Sequence, residues 1–151
     1  MAEFLLEAFS AIMVAADAAF WAEHVRKLSS ESGCARSINI ILINKSDQQL
    51  IWDDSGIDHG VRKVTAPDFI QPRAHGHWML ESNGMLTGCE GWMHWKVGQH
   101  GPMLKVNYDN PYDGSNEHNC WVHPQENTLY KVEKTGGGGN HATVVFTFSN
   151  R

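Results

Sequence analysis

His141-Ala142-Thr143-Val144-Val145-Phe146-Thr147-Phe148-Ser149 is the stretch that decides the fold class. Ala142, Val144, Phe146 and Phe148 alternate with Thr143, Val145, Thr147 and Ser149. Side chains along an extended strand point to opposite faces in turn, so this period of two predicts a strand with one buried and one wetter face. Upstream of it the same texture recurs, in short alternating runs divided by Gly, Pro, Asn and Asp. The pattern predicts strands over 37–44, 49–53, 61–65, 74–82, 88–97, 103–109, 127–133 and 141–149. His100-Gly101-Pro102 supplies a turn, and Gly136 to Gly139 a flexible connection into the last strand. Short strands with no helix between them predict a mainly β fold, a sandwich of two packed antiparallel sheets.

The amino-terminal residues read differently. Residues 3–28 are Ala-rich, free of Gly and Pro, and patterned at helical period. Glu3, Glu7, Ser10, Asp17 and His24 fall on one side, and Leu5, Leu6, Phe9, Ile12, Met13, Ala16 and Phe20 on the other. Acidic residues near the start and Arg26-Lys27 near the end suit the helix dipole. The expected organisation is a helical extension over 1–33 and a β domain over 34–151. Glu3 and Glu7 stand where a secretory signal would carry positive charge, and the apolar run is too short to cross a bilayer. The apolar stripe has three possible uses: packing on a sandwich face, pairing with its own copy, or insertion into a bilayer.

A net charge of −5 gives the chain a field that repels phosphate backbones, which argues against a nucleic-acid partner. Three cysteines, Cys34, Cys89 and Cys120, have neither metal-knuckle nor redox-pair spacing, and free thiols are expected. No GxSxG, HExxH or P-loop pattern occurs, so neither catalysis nor a cofactor is expected. His75 and His77 share a strand face, and Glu117, His118, Cys120 and His123 cluster in what reads as a polar loop. Neither set supplies a full ligand spacing, and no metal site is expected.

The aromatic residues carry more information. In Gly91-Trp92-Met93-His94-Trp95-Lys96-Val97 the alternation places Met93, Trp95 and Val97 on the core side and Trp92, His94 and Lys96 on the other. The second trio suits a lipid-headgroup or sugar site, since an indole is an amphipathic anchor; a face covered by a loop or helix fits as well. Trp52, Trp78 and Trp121 have no assignable side. His75, His77 and His94 predict binding that depends on pH between about 5 and 8, where histidine titrates.

Three segments in order, Glu81 to Gly91, Tyr108 to Asn116 and Gly136 to Val144, give residues 37–150 a resemblance to the aegerolysin family. The resemblance is strongest to the small component of bacterial binary insecticidal toxins. It implies a non-enzymatic, pore-forming toxin component that binds a target-cell membrane lipid or receptor and acts with a larger partner protein. It also implies synthesis in the bacterial cytoplasm without a signal peptide, action outside the cell, and a possible homo-oligomer. Tyr108, Asp109, Tyr112, Asn116 and Trp92, together with His94 and Lys96, are the candidate contacts for membrane or receptor. Leu5, Phe9, Ile12, Met13 and Phe20 are those for self-association or membrane. The alternative expectation is a carbohydrate-binding, lectin-like module, for which exposed Trp, His and Asn serve equally.

Overall fold

The computed structural model describes residues 33–151. The helix expected over 3–28, with its apolar stripe, lies outside the described residues. Ten strands follow in order: β1 (Ser37–Asn44), β2 (Leu50–His59), β3 (Val61–Val64), β4 (Phe69–Ile70), β5 (His75–Glu81), β6 (Cys89–Val97), β7 (Met103–Asn110), β8 (Glu117–His123), β9 (Tyr130–Gly136) and β10 (His141–Asn150). They form two five-stranded sheets, sheet I in the order β3-β5-β1-β10-β9 and sheet II in the order β4-β2-β6-β7-β8. Every neighbouring pair is antiparallel except β1 and β10, which run parallel from Ser37 and His141 to Asn44 and Phe148.

The hydrophobic pattern explains this arrangement. In β1, Ser-Ile-Asn-Ile-Ile-Leu-Ile-Asn is too continuous an apolar run for a half-wet strand, and all eight residues are buried. Ile38, Ile40 and Leu42 enter the core with Trp78 and Leu80 of β5, Val144, Phe146 and Phe148 of β10, and Trp95, Leu104, Val106 and Tyr108 of sheet II. Trp78 sits against both Trp95 and Tyr108, with ring centroids 5.8 and 6.1 Å apart. The other face of sheet I departs from expectation. Thr143 and Val145, placed on the wetter side of β10, are buried there, as are Ile41, Ile43 and Met79. No described strand lies across that face.

Two strands escaped the sequence pattern. β4 is only two residues long, and β8 is the segment expected as a polar loop. β8 alternates His118, Cys120 and Val122 inward with Glu117, Asn119, Trp121 and His123 outward, and its inward residues are too polar to read as a core face. The four residues weighed as metal ligands therefore point to opposite sides of one strand. β2 also runs farther than expected, to His59, with register shifts at Trp52/Asp54 and Ile57/His59. β9 starts at Tyr130 and carries its pairing into Gly136.

One side chain ties the sheets at the end where β1 and β10 begin. Asn110, at the end of β7, is 1% exposed and donates through Nδ2 to Ser37 O at 3.1 Å and Asn140 O at 2.9 Å. Its removal takes a buried donor away from both carbonyls, at about 1–2 kcal/mol. Urea unfolding of Asn110→Ala is expected to show that loss, and an unchanged midpoint would contradict the tie.

Candidate functional site

The outer face of sheet II is built from residues that alternate with the core. On β6 the buried positions are Cys89, Gly91, Met93, Trp95 and Val97, which leaves Glu90, Trp92, His94 and Lys96 outward. Strand register assembles them into cross-strand rows. The first row is His59, Glu90, Asp109 and Glu117, the second Gly56, Trp92, Asn107 and Asn119, and the third Asp54, His94, Lys105 and Trp121. Lys96 follows beside Met103. The face thus grades from acidic near the β6 start to basic near its end.

Trp92 is the centre of this surface. Its indole lies across Gly56, where an added Cβ would come within 2.6 Å of Nε1, so glycine is what lets the ring lie flat on β2. The imidazole of His94 sits 4.7 Å away on the other side. A groove of about 250 Å³ opens beside the indole, walled by Asp58, Glu90, Asn107, Asp109, Glu117 and Asn119. Burial raises the Glu90 carboxyl above its ordinary range, reinforced by Asp109 and Asp58. Burial raises Asp109 too; His118 opposes the shift and Glu117 adds to it. Carboxylates so placed favour a ligand that brings positive charge or hydrogen-bond donors. His94 is shifted down by burial and by Lys105, against the pull of Asp54 and Asp53.

A second surface adjoins the first. Ser37 pairs with Glu81 and with His141, so the loops after β5 and before β10 emerge at one end of the sandwich, beside the Asn110 end of β7. In the β5–β6 loop Thr87 Oγ1 donates to Gly84 O at 2.8 Å, closing a turn that turns Met85 and Leu86 outward. They are 90% and 67% exposed, and Leu86 has φ 59°, a backbone state that leucine rarely adopts. Between this tip and Tyr112 lies a cleft of about 320 Å³ that also reaches Glu90 and Asp109. Two groups that need different surroundings, apolar loop residues and carboxylates, therefore meet at one edge.

The expected contacts separate on the structure. Trp92, His94 and Lys96 share the outer face, with Asp109 across from Glu90. Tyr112 is half exposed, with the Arg36 guanidinium 4.9 Å over its ring and donating to its carbonyl at 3.1 Å. Asn116 is engaged in holding the β9–β10 connection, donating to Gly137 O and Gly139 O. Tyr108 is a correction: at 2% exposed it belongs to the core, because β7 turns Leu104, Val106 and Tyr108 inward together. His75 and His77 share a strand face as expected, on the outer side of sheet I and away from Trp92 and His94. Met85 and Leu86 were not among the expected contacts. The signal for them was present, as two large apolar residues set between Gly84 and Thr87-Gly88 in turn-forming sequence.

No family model matches this chain, and no curated protein matches it in sequence. Its likeness to known proteins is in the fold. The solved structure of the lipid-binding protein Nakanori superposes with a TM-score of 0.73 at 14% identity, covering 87% of this chain and 79% of the Nakanori chain. The fold is aegerolysin-like. This is the two-sheet sandwich expected from the sequence, carried by the described residues.

Two outcomes follow. Tyr108→Ala is expected to cost about 3–5 kcal/mol in stability, as truncation of a core aromatic does, while Tyr108→Phe keeps both fold and ligand binding; weaker binding by a fully stable Tyr108→Phe would return the residue to the site. His77 is pushed down to about 4, first by burial and then by His75. Folding therefore favours its neutral form, and that stability is complete above the ordinary value of 6.5 and lost as pH falls toward about 4. Thermal melts between pH 7 and 4 are expected to show a shallower loss in His77→Gln, and identical slopes would exclude this contribution.

Proposed function

We propose that this protein is a non-enzymatic module that binds membrane lipid through the end of the sandwich bearing Met85, Leu86 and Tyr112. The observation that carries the reading is the Met85–Leu86 tip, two exposed apolar side chains on a turn beside a carboxylate-walled cleft. Such side chains gain free energy by leaving water, at about 1.5–3 kcal/mol for each one fully buried, and a bilayer offers that burial without a shaped pocket. Trp92 and Tyr112 flank the contact as residues suited to the boundary between apolar and wet phases. That Nakanori is a lipid-binding protein on the same fold supports the assignment.

In the fuller reading, the chain is the small component of a binary insecticidal toxin. It is made in the bacterial cytoplasm and acts outside the cell, where it recognises a target membrane and joins a larger partner to form a pore. The groove beside Trp92 favours the second reading, a glycan site. A flat indole with Asn107, Asn119 and carboxylates around it is also a sugar-binding arrangement.

Vesicle co-sedimentation separates these. Met85→Ser with Leu86→Ser is expected to weaken binding about tenfold or more, from the apolar area withdrawn, with the melting temperature unchanged because both side chains are exposed. Unaltered vesicle binding in this double variant would sink the lipid reading, and glycan binding lost in Trp92→Ala would establish the alternative. Leakage of dye from vesicles only when a larger partner protein is added is the outcome that the binary reading requires.

A further inference from the structure

On the outer face of sheet II a row of neutral groups runs beside a row of acidic ones. Trp92, Asn107 and Asn119 are successive ladder partners across β6, β7 and β8. Side chains directly opposed on antiparallel strands stand close enough to act on one ligand. Asparagines elsewhere are spent inside the protein: Asn44, Asn110 and Asn116 each give their amide to backbone carbonyls. Asn107 and Asn119 are exposed, and their side chains have no hydrogen-bond partner among the described residues. Each keeps an amide donor and a carbonyl acceptor for something outside the chain.

The groove of about 250 Å³ beside this row and the cleft of about 320 Å³ next to the Met85–Leu86 tip share Glu90 and Asp109. A ligand that reaches from the apolar tip to the indole must therefore pass both carboxylates. Among the described residues lining the two clefts there is no lysine or arginine, and the basic group is His59. A phosphate or sulfonate here would meet like charge with little to offset it, which costs binding. Phospholipid headgroups are disfavoured on that ground, the zwitterionic ones included, since their ammonium brings its phosphate along. A sugar suits each group present. Its hydroxyls donate to carboxylates and pair with both ends of an amide. The C–H bonds on one face of its ring carry slight positive charge, which suits the negative face of an indole.

We propose that the two clefts together bind the uncharged glycosyl headgroup of a lipid. The sugar ring lies against Trp92, its hydroxyls meet Asn107, Asn119, Glu90 and Asp109, and the acyl chains leave past Met85 and Leu86. The proposal rests on the lipid reading of the Met85–Leu86 tip and adds to it the chemistry of the headgroup. It also joins the two surfaces, because the carboxylates at their shared wall select against charged headgroups while the tip meets the bilayer.

Co-sedimentation of the full chain tests this with phosphatidylcholine vesicles, plain or carrying galactosyl, glucosyl or sulfoquinovosyl diacylglycerol. At least one of the two neutral glycolipids is expected to tighten binding about tenfold, the worth of one stacked ring and a hydrogen bond, and the sulfonated lipid is not. That gain is expected to vanish in Trp92→Ala and to fall about fivefold in Asn107→Ala, the effect of one hydrogen bond, with the melting temperature of Asn107→Ala unchanged. Equal binding to every vesicle, abolished in Met85→Ser with Leu86→Ser, keeps the lipid reading and overturns the glycosyl site. Binding to no vesicle overturns both. A glycolipid preference that survives Trp92→Ala and Asn107→Ala puts the sugar elsewhere, and a sulfonated headgroup bound as tightly as the neutral ones defeats the charge argument. Methyl galactoside or methyl glucoside that saturably shifts the Trp92 indole N–H signal, with no preference for glycolipid vesicles, makes the ligand a free glycan and overturns the lipid-borne one.

Discussion

The pairing of β1 with β10 is the constraint on which the rest of the molecule depends. It joins strands about a hundred residues apart in parallel, at the centre of sheet I, where neither can turn a face to water. A parallel pair cannot be closed by a hairpin, so the chain between the two strands builds β3, β5 and β9 of sheet I and all of sheet II before β10 returns to β1. Because Ser37 is level with both His141 and Glu81, the same pairing gathers the β5–β6 loop and the β9–β10 connection at one end. Asn110 then fastens β7 of sheet II to that end by bonding to Ser37 O and Asn140 O.

That geometry sorts chemistry by position. The end loops hold what a strand would not, two exposed apolar side chains and a run of glycines in which the Gly137 and Gly139 carbonyls are held by side-chain donors. The outer face of sheet II holds what a strand places best, charged and aromatic side chains in register. Glu90 and Asp109 are opposed across one ladder pair, where like charges repel and partial burial makes ionisation dearer still. An arrangement that stabilises neither carboxylate is better explained by what it meets than by what it adds to stability.

Much of this was legible in the residues. The β6 alternation placed Trp92, His94 and Lys96 together on the outer face, and the 141–149 pattern located the last strand to within a residue. Tyr108 was legible too, since Leu104, Val106 and Tyr108 share one period-two face; its place in a turn-rich motif drew it wrongly to the surface. β8 was not legible. A strand at the edge of a sheet can bury His118 and Cys120 at its inner face because other elements satisfy them, here Gly137 O and the Asp109 N–H for the imidazole.

The amino-acid sequence by itself determined the class of fold and the face on which each β6 residue stands, because alternation is a local property of an extended chain. Only the tertiary structure decided which residues become neighbours. It set Glu90 beside Asp109 and Glu117, laid Trp92 over Gly56, and turned the carbonyls of the glycine connection toward Asn110, Asn116 and His118. Those contacts join residues distant in the chain, and their register is set by the packing of two sheets that no single segment encodes.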